Sequence, residues 1–179
     1  MDLNEIIEKT KQWSIDRNLN TANPIKQFQK LNEEFGELNS GIAKNKIEVI
    51  EDSIGDCLVV LTILAQQLKI ENIAQLVSNT SFELGNYTKG MASTDSLILY
   101  CSQRIGEIAK IMLEMSYNPG AFSNIERMKI AIGIVTDVID KIAINYDLQT
   151  RACFEVAYNE IKDRKGKMID GVWVKEADL

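Results

Sequence analysis

At 179 residues, 45% hydrophobic and 26% charged, the chain has the make-up of an ordinary globular protein that can build one well-buried core. Its formal charge of −6 and pI of about 4.8 argue against nonspecific nucleic-acid binding. The absence of histidine excludes Ser-His-Asp and Cys-His nucleophilic catalysis, histidine-type zinc sites and imidazole proton transfer, leaving carboxylates, lysines, tyrosines and metal-bound water as chemical resources.

The first expected element is a helix over residues 3–17, amphipathic and acidic at its start, and unlike a signal peptide. R-N-L-N-T-A-N-P, ending at Pro24, breaks the pattern. A second helix spans 25–43, with Ile25, Phe28, Leu31, Phe35, Leu38 and Ile42 at steps of three or four, and Asn45 is its stop. A third spans 47–69 and is apolar on most sides after Asp56, which places it centrally. Its apolar run from Cys57 to Ala65 is too short for a bilayer, which needs about 20 residues, so no membrane partner is expected.

Further helices are expected over 71–88, 96–116, 124–145 and about 148–164. Ser93 or Thr94 caps the one at 96, and a loop around Pro119 separates the middle pair. Asp170-Gly171 between short apolar pairs is a type I′ turn signal, so a small β-hairpin closes the chain. Cys57, Cys101 and Cys153, odd in number and in helical apolar contexts, read as buried free thiols suited to a reducing cytoplasm. The expected architecture is a single all-α domain over 1–179, a helical bundle with that terminal hairpin.

A weak internal repeat crosses this frame. E-E-F-G-E-L-N-S-G-I at 33–42 is similar to Q-R-I-G-E-I-A-K-I-M at 103–112, with Gly36-Glu37 matching Gly106-Glu107. D-S-I-G-D-C-L-V-V at 52–60 is similar to I-A-I-G-I-V-T-D-V at 130–138. The second copy has Arg104 for Glu34, Ile130 for Asp52 and Ile134 for Asp56, so it keeps the packing pattern without those acids. Residues 71–146 are therefore read as an insertion or a degenerate repeat.

The acids are the chemically informative feature. At about 100° per residue, Glu33, Glu34 and Glu37 share one helical sector, and Asp52 and Asp56 lie one turn apart on the next helix. Carboxylates beside apolar flanks need a positive partner. Antiparallel packing across the short Asn45-Lys46 link would bring the two acidic faces together, a set of hard oxygen donors suited to Mg²⁺ or Mn²⁺. Glu48 and Glu51 are expected at the surface. Gly36 and Gly55, inside helices beside the acids, imply close helix approach or room for a ligand.

E-E-x-x-E (Glu33, Glu34, Glu37) followed by Gly55-Asp56 at the entry to an apolar helix resembles the MazG-like all-α nucleoside triphosphate pyrophosphohydrolases. The ending A-Y-N-E-I-K-D-R-K-G-K-M-I-D-G-V-W-V-K-E is similar to the C-terminus of small members of that family. The resemblance covers about residues 10–70 and 147–176, which gives the MazG-like part as 1–70 and 147–176. It implies Mg²⁺-dependent hydrolysis of a (deoxy)nucleoside triphosphate to the monophosphate and pyrophosphate. By the same resemblance Glu34, Glu37 and Asp56 would hold metal, and Glu33 would bind a second ion or polarise the attacking water. The family pattern has a glutamate three residues before the aspartate, where this chain has Ser53, so either Asp52 supplies the missing carboxylate or the metal site has one ligand fewer. Assembly as a homodimer or larger homo-oligomer is also implied, unless the second half stands in for a partner subunit.

Candidate substrate contacts are Lys30, Asn159, Lys162 and Lys165, set in a basic cluster with Arg164 and Lys167, for phosphate. Lys30 would alternatively pair with Glu34, four residues on. Trp13 would stack on a base or join the core; Gln27 and Asn32 are amides that would read a base edge. Two alternatives remain open: a phosphoribosyl-ATP pyrophosphatase-like enzyme, and a non-catalytic nucleotide-binding or interaction protein on the same scaffold.

Overall fold

The computed structural model describes residues 1–70, 72–76, 93–118, 122–169 and 172–176. The fold is all-α, with one small antiparallel hairpin near the C-terminus. Two compact units are formed, Met1–Lys69 with Thr150–Leu179, and Ile70–Gln149, the latter corresponding to the segment read as inserted or repeat helices. Among the described residues no helix is long and apolar enough to cross a membrane.

In the first unit, helix α1 (Leu3–Asp16) starts at Asp2, whose Oδ1 accepts from the Glu5 amide at 2.8 Å. It buries Ile6, Ile7 and Trp13. After a short 3₁₀ turn at Leu19–Thr21, Asn23 caps α2 (Pro24–Ala43), with Pro24 in the first turn. Leu31, Phe35, Leu38 and Gly41 form the buried stripe of α2. The chain reverses where Asn45 takes a left-handed φ of 50°, a conformation asparagine tolerates. Helix α3 (Ile47–Gln67) then runs back along α2, with every residue from Cys57 to Ala65 buried.

Two glycines set the spacing in this unit. A Cβ on Gly41 would lie 3.1 Å from Ile50 Cγ1, and one on Gly55 would meet the Cys153 carbonyl and lie 2.8 Å from Ala157 Cβ. Gly55 thus lets α6 (Thr150–Ile161) cross α3 in close contact. Gly36 is different: no atom would lie within 4 Å of its Cβ, so close approach does not explain it. Strands β1 (Gly166–Ile169) and β2 (Val172–Lys175) pair antiparallel, with Ile169 opposite Val172. The Asp170-Gly171 turn itself lies outside the described residues.

In the second unit Ser93 caps α4 (Thr94–Tyr117), its Oγ accepting from the Ser96 amide. Helix α5 (Phe122–Asn145) packs antiparallel against it, and Asn145 Nδ2 donates to Thr94 Oγ1 at 3.2 Å. Of the helix expected over 71–88, a turn at 73–76 is described, with Ile73 and Leu76 buried; the remainder lies outside the described residues. All three cysteines are free and buried. Burial pushes the Cys101 thiol up to about 12, which keeps it inert.

Candidate active site

A pocket of about 320 Å³ opens in the first unit between α2, α3 and the end of α6. Six carboxylates line it: Glu33, Glu34 and Glu37 from α2, Asp52 and Asp56 from α3, and Glu160 from α6. Three cations, Lys26, Lys30 and Arg164, face them, and the remaining wall is apolar apart from the amide Gln27, with Trp13, Leu19, Val59, Val60, Ile63, Ile161 and Trp173. Periodicity explains the assembly of the acids. Glu34 lies on the buried stripe of α2, while Glu33 and Glu37 flank it on the exposed side.

The acids are electrostatically strained against one another. Glu34 is 3% exposed, and burial raises its pKa despite the hydrogen bond from Lys30, with Glu37 and Glu33 adding repulsion. Asp56 is pushed up to about 7, first by burial and then by the charges of Glu34 and Asp52, with Lys30 and Arg164 offsetting part of this. Lys30 Nζ contacts Glu34 Oε1 at 2.5 Å and Glu33 Oε1 at 3.0 Å. Burial works against the lysine's charge, but these two bonds outweigh it and raise its pKa. One half-exposed ammonium satisfies itself there without satisfying the acids.

Ser53 and Asp52 divide as the helix demands. Ser53 is buried, with its Oγ unpartnered, while Asp52 faces the pocket. Position 53 is turned into the helix packing, so a carboxylate at that level of the pocket comes from Asp52. Glu48 is exposed and is not part of the lining.

The basic residues are placed differently from expectation. Helix α6 ends at Ile161 rather than 164, so Lys162 lies just past the helix and not on it. Both are exposed and outside the lining, as is Asn159, whose Oδ1 accepts from Lys162 Nζ at 3.1 Å. Arg164 takes their place, and Lys26, one turn before Lys30, adds a cation that the sequence signalled only by its i, i+4 spacing.

Trp13 is both core and wall. Its Nε1 donates to the Ile161 carbonyl at 2.8 Å, and Arg17 lies over its ring at 4.4 Å. Arg17 also sits 5.4 Å from the ring of Trp173 and donates to the Lys162 and Arg164 carbonyls at 3.2 and 3.1 Å. A residue with no motif around it therefore ties the hairpin and the Arg164 segment to α1. Gly166 completes this corner, because a Cβ there would lie 3.0 Å from the Trp173 indole.

As the side chains stand, no three of the described Asp, Glu and Cys residues converge closely enough to hold a metal ion together. The donor set nevertheless fits a hard divalent cation. It offers carboxylate oxygens alone, twice as many acids as cations line the space, and the buried members repel each other. The second unit presents the contrast. Glu107, which matches Glu37 in the repeat, is held by Arg127 at 2.5 Å, and Arg127 also reaches Glu114 at 2.5 Å.

No family model matches the chain, and no solved structure matches it. It is similar to a protein of Haemophilus phage HP1 (strain HP1c1) described as an uncharacterized 18.2 kDa protein in the rep-hol intergenic region. The two are 54% identical over 77 residues, which span 42% of this chain and about half, 47%, of the phage protein.

Proposed function

We propose that the pocket binds a nucleoside triphosphate with Mg²⁺ and hydrolyses it to the monophosphate and pyrophosphate. The observation that carries this reading is the union, in one pocket, of six carboxylates, three cations and an aromatic and apolar wall. A phosphate chain needs positive charge, a base needs an apolar slot, and acids in excess of cations need a metal. Glu34, Glu37, Asp52 and Asp56 would hold the ion, which when bound neutralises phosphate oxygens and lowers the pKa of coordinated water.

The chain's own groups do the rest. Lys26, Lys30 and Arg164 would bind phosphate oxygens, and Glu33, exposed at the rim, would accept a proton from the attacking water at its carboxylate. Displacement at phosphorus asks mainly for positioning and charge compensation, so the lack of histidine is no obstacle. A panel of nucleoside triphosphates with Mg²⁺, detecting pyrophosphate separately from phosphate, tests this. Pyrophosphate release is expected; its absence across the panel contradicts the reading.

One observation favours a second reading, nucleotide binding without turnover. Lys30 already bridges Glu33 and Glu34, so a cation is built in. Binding of a non-hydrolysable triphosphate without hydrolysis of the natural one would select it.

A further inference from the structure

Gln27 is a buried amide at the inner wall of the pocket, 8% exposed, and is the α2 residue two turns before Glu34. Its Nε2 donates to the Val60 carbonyl on α3 at 3.3 Å. A carbonyl can only accept, so the nitrogen must be the atom that faces it. One Nε2 hydrogen and the carboxamide oxygen are left over, and the oxygen accepts from no donor among the described residues. Gln27 lines the pocket, so this oxygen is an acceptor available to a ligand bound there. Reversing the amide would set its oxygen against the Val60 oxygen, an acceptor facing an acceptor.

The axial positions give this acceptor a meaning. Seven steps along α2 return to within about 20° of the same face and advance about 10 Å, so Gln27 and Glu34 look the same way at opposite levels. On the antiparallel α3, Val60 stands one turn beyond Asp56, and Ile63 beyond that. The acids therefore lie toward one end of the pocket, and Gln27 lies toward the other, beside Lys26 on α2 and across from Val60 and Ile63. That offset is comparable with the distance between the phosphates and the base edge of a nucleotide.

We propose that Gln27 selects nucleobases carrying an exocyclic amine, cytosine through N4 or adenine through N6, by accepting from that amine at its carboxamide oxygen. The proposal rests on the nucleotide reading of the pocket given above. A keto group in the same place, as in uracil or hypoxanthine, would face acceptor to acceptor, leaving two buried groups unpaired.

Calorimetric titration with dCMP against dUMP, and dAMP against dIMP, reads this without requiring turnover; kcat/KM on the matching triphosphates reads it with turnover. The wild-type protein is expected to favour the amine-bearing member of each pair by about tenfold or more. Gln27→Met and Gln27→Leu, each shown by circular dichroism to be helical, are expected to bring both ratios to within about twofold. A wild-type ratio near one, a preference for the keto member, or an unchanged ratio in both variants overturns the proposal. Should no triphosphate be hydrolysed, the hydrolase reading fails while the monophosphate ratios still decide the role of Gln27. Absence of binding to all four monophosphates, together with equal kcat/KM on the matching triphosphates, overturns the role of Gln27 and leaves the hydrolase reading to the pyrophosphate assay.

Discussion

Lys30 Nζ lies 2.5 Å from Oε1 of Glu34, one turn further along the same helix, and Glu34 is buried while Lys30 is half-exposed. The ammonium is the counter-ion that lets an acid sit inside the pocket. Removing it as Lys30→Met leaves the carboxylate uncompensated and is expected to cost about 1–3 kcal/mol in metal-free buffer, less than a fully buried pair because the lysine is half in water. Mg²⁺ should then raise the melting temperature of the variant by more than it raises that of the wild type. Equal shifts in the two would show that the ion and the lysine do not serve the same acids.

The pocket also makes metal-free stability depend on pH. Asp56 has a folded-state pKa of about 7 against an ordinary value of 3.8, so between those values the folded protein binds more protons than the unfolded chain. Stability should therefore fall as pH rises from about 4 to 7, with Glu34 acting in the same direction. Thermal melts in a chelator at pH 5 and pH 7.5 measure this. The loss should shrink in Asp56→Asn and on adding Mg²⁺ to the wild type.

Two glycines separate packing from openness. Gly55→Ala would drive a methyl into the Cys153 backbone and Ala157, and is expected to destabilise by about 1–3 kcal/mol in urea titration. Gly36→Ala meets no atom within 4 Å and should stabilise by about 0.5–1 kcal/mol, since a helix-interior glycine costs roughly that.

Arg17 joins Trp13, Trp173 and the carbonyls of Lys162 and Arg164. Arg17→Met should loosen the hairpin, changing tryptophan fluorescence and costing about 1–3 kcal/mol through lost hydrogen bonds and cation–π contact. If hydrolysis occurs, KM should rise more than kcat falls, because Arg164 and Trp173 line the pocket while Arg17 stays outside it.

These residues show how much the sequence discloses. The helices were legible because their apolar positions repeat at three and four, and the Asn45 stop and Ser93 cap are local chemistry. The acids were legible for the same reason: helical phase alone puts Glu33, Glu34 and Glu37 together. Phase stops where the helix stops. Lys162 and Lys165 stand out in the sequence as members of a basic cluster at the end of α6, and beyond the helix end at Ile161 it is Arg164 of that cluster that lines the pocket. Arg17 and the orientation of Gln27 were not legible, since each depends on carbonyls far away in the chain, at 162 and 164 for one and 60 for the other.

The most direct test of the pocket's role is pyrophosphate release from nucleoside triphosphates with Mg²⁺, compared between the wild type and the variants Glu37→Gln and Asp56→Asn, with helicity followed by circular dichroism. Release by the wild type, lost by at least a hundredfold in both helical variants, is the predicted result. Full activity in both variants, or no release by the wild type from any triphosphate, would contradict it.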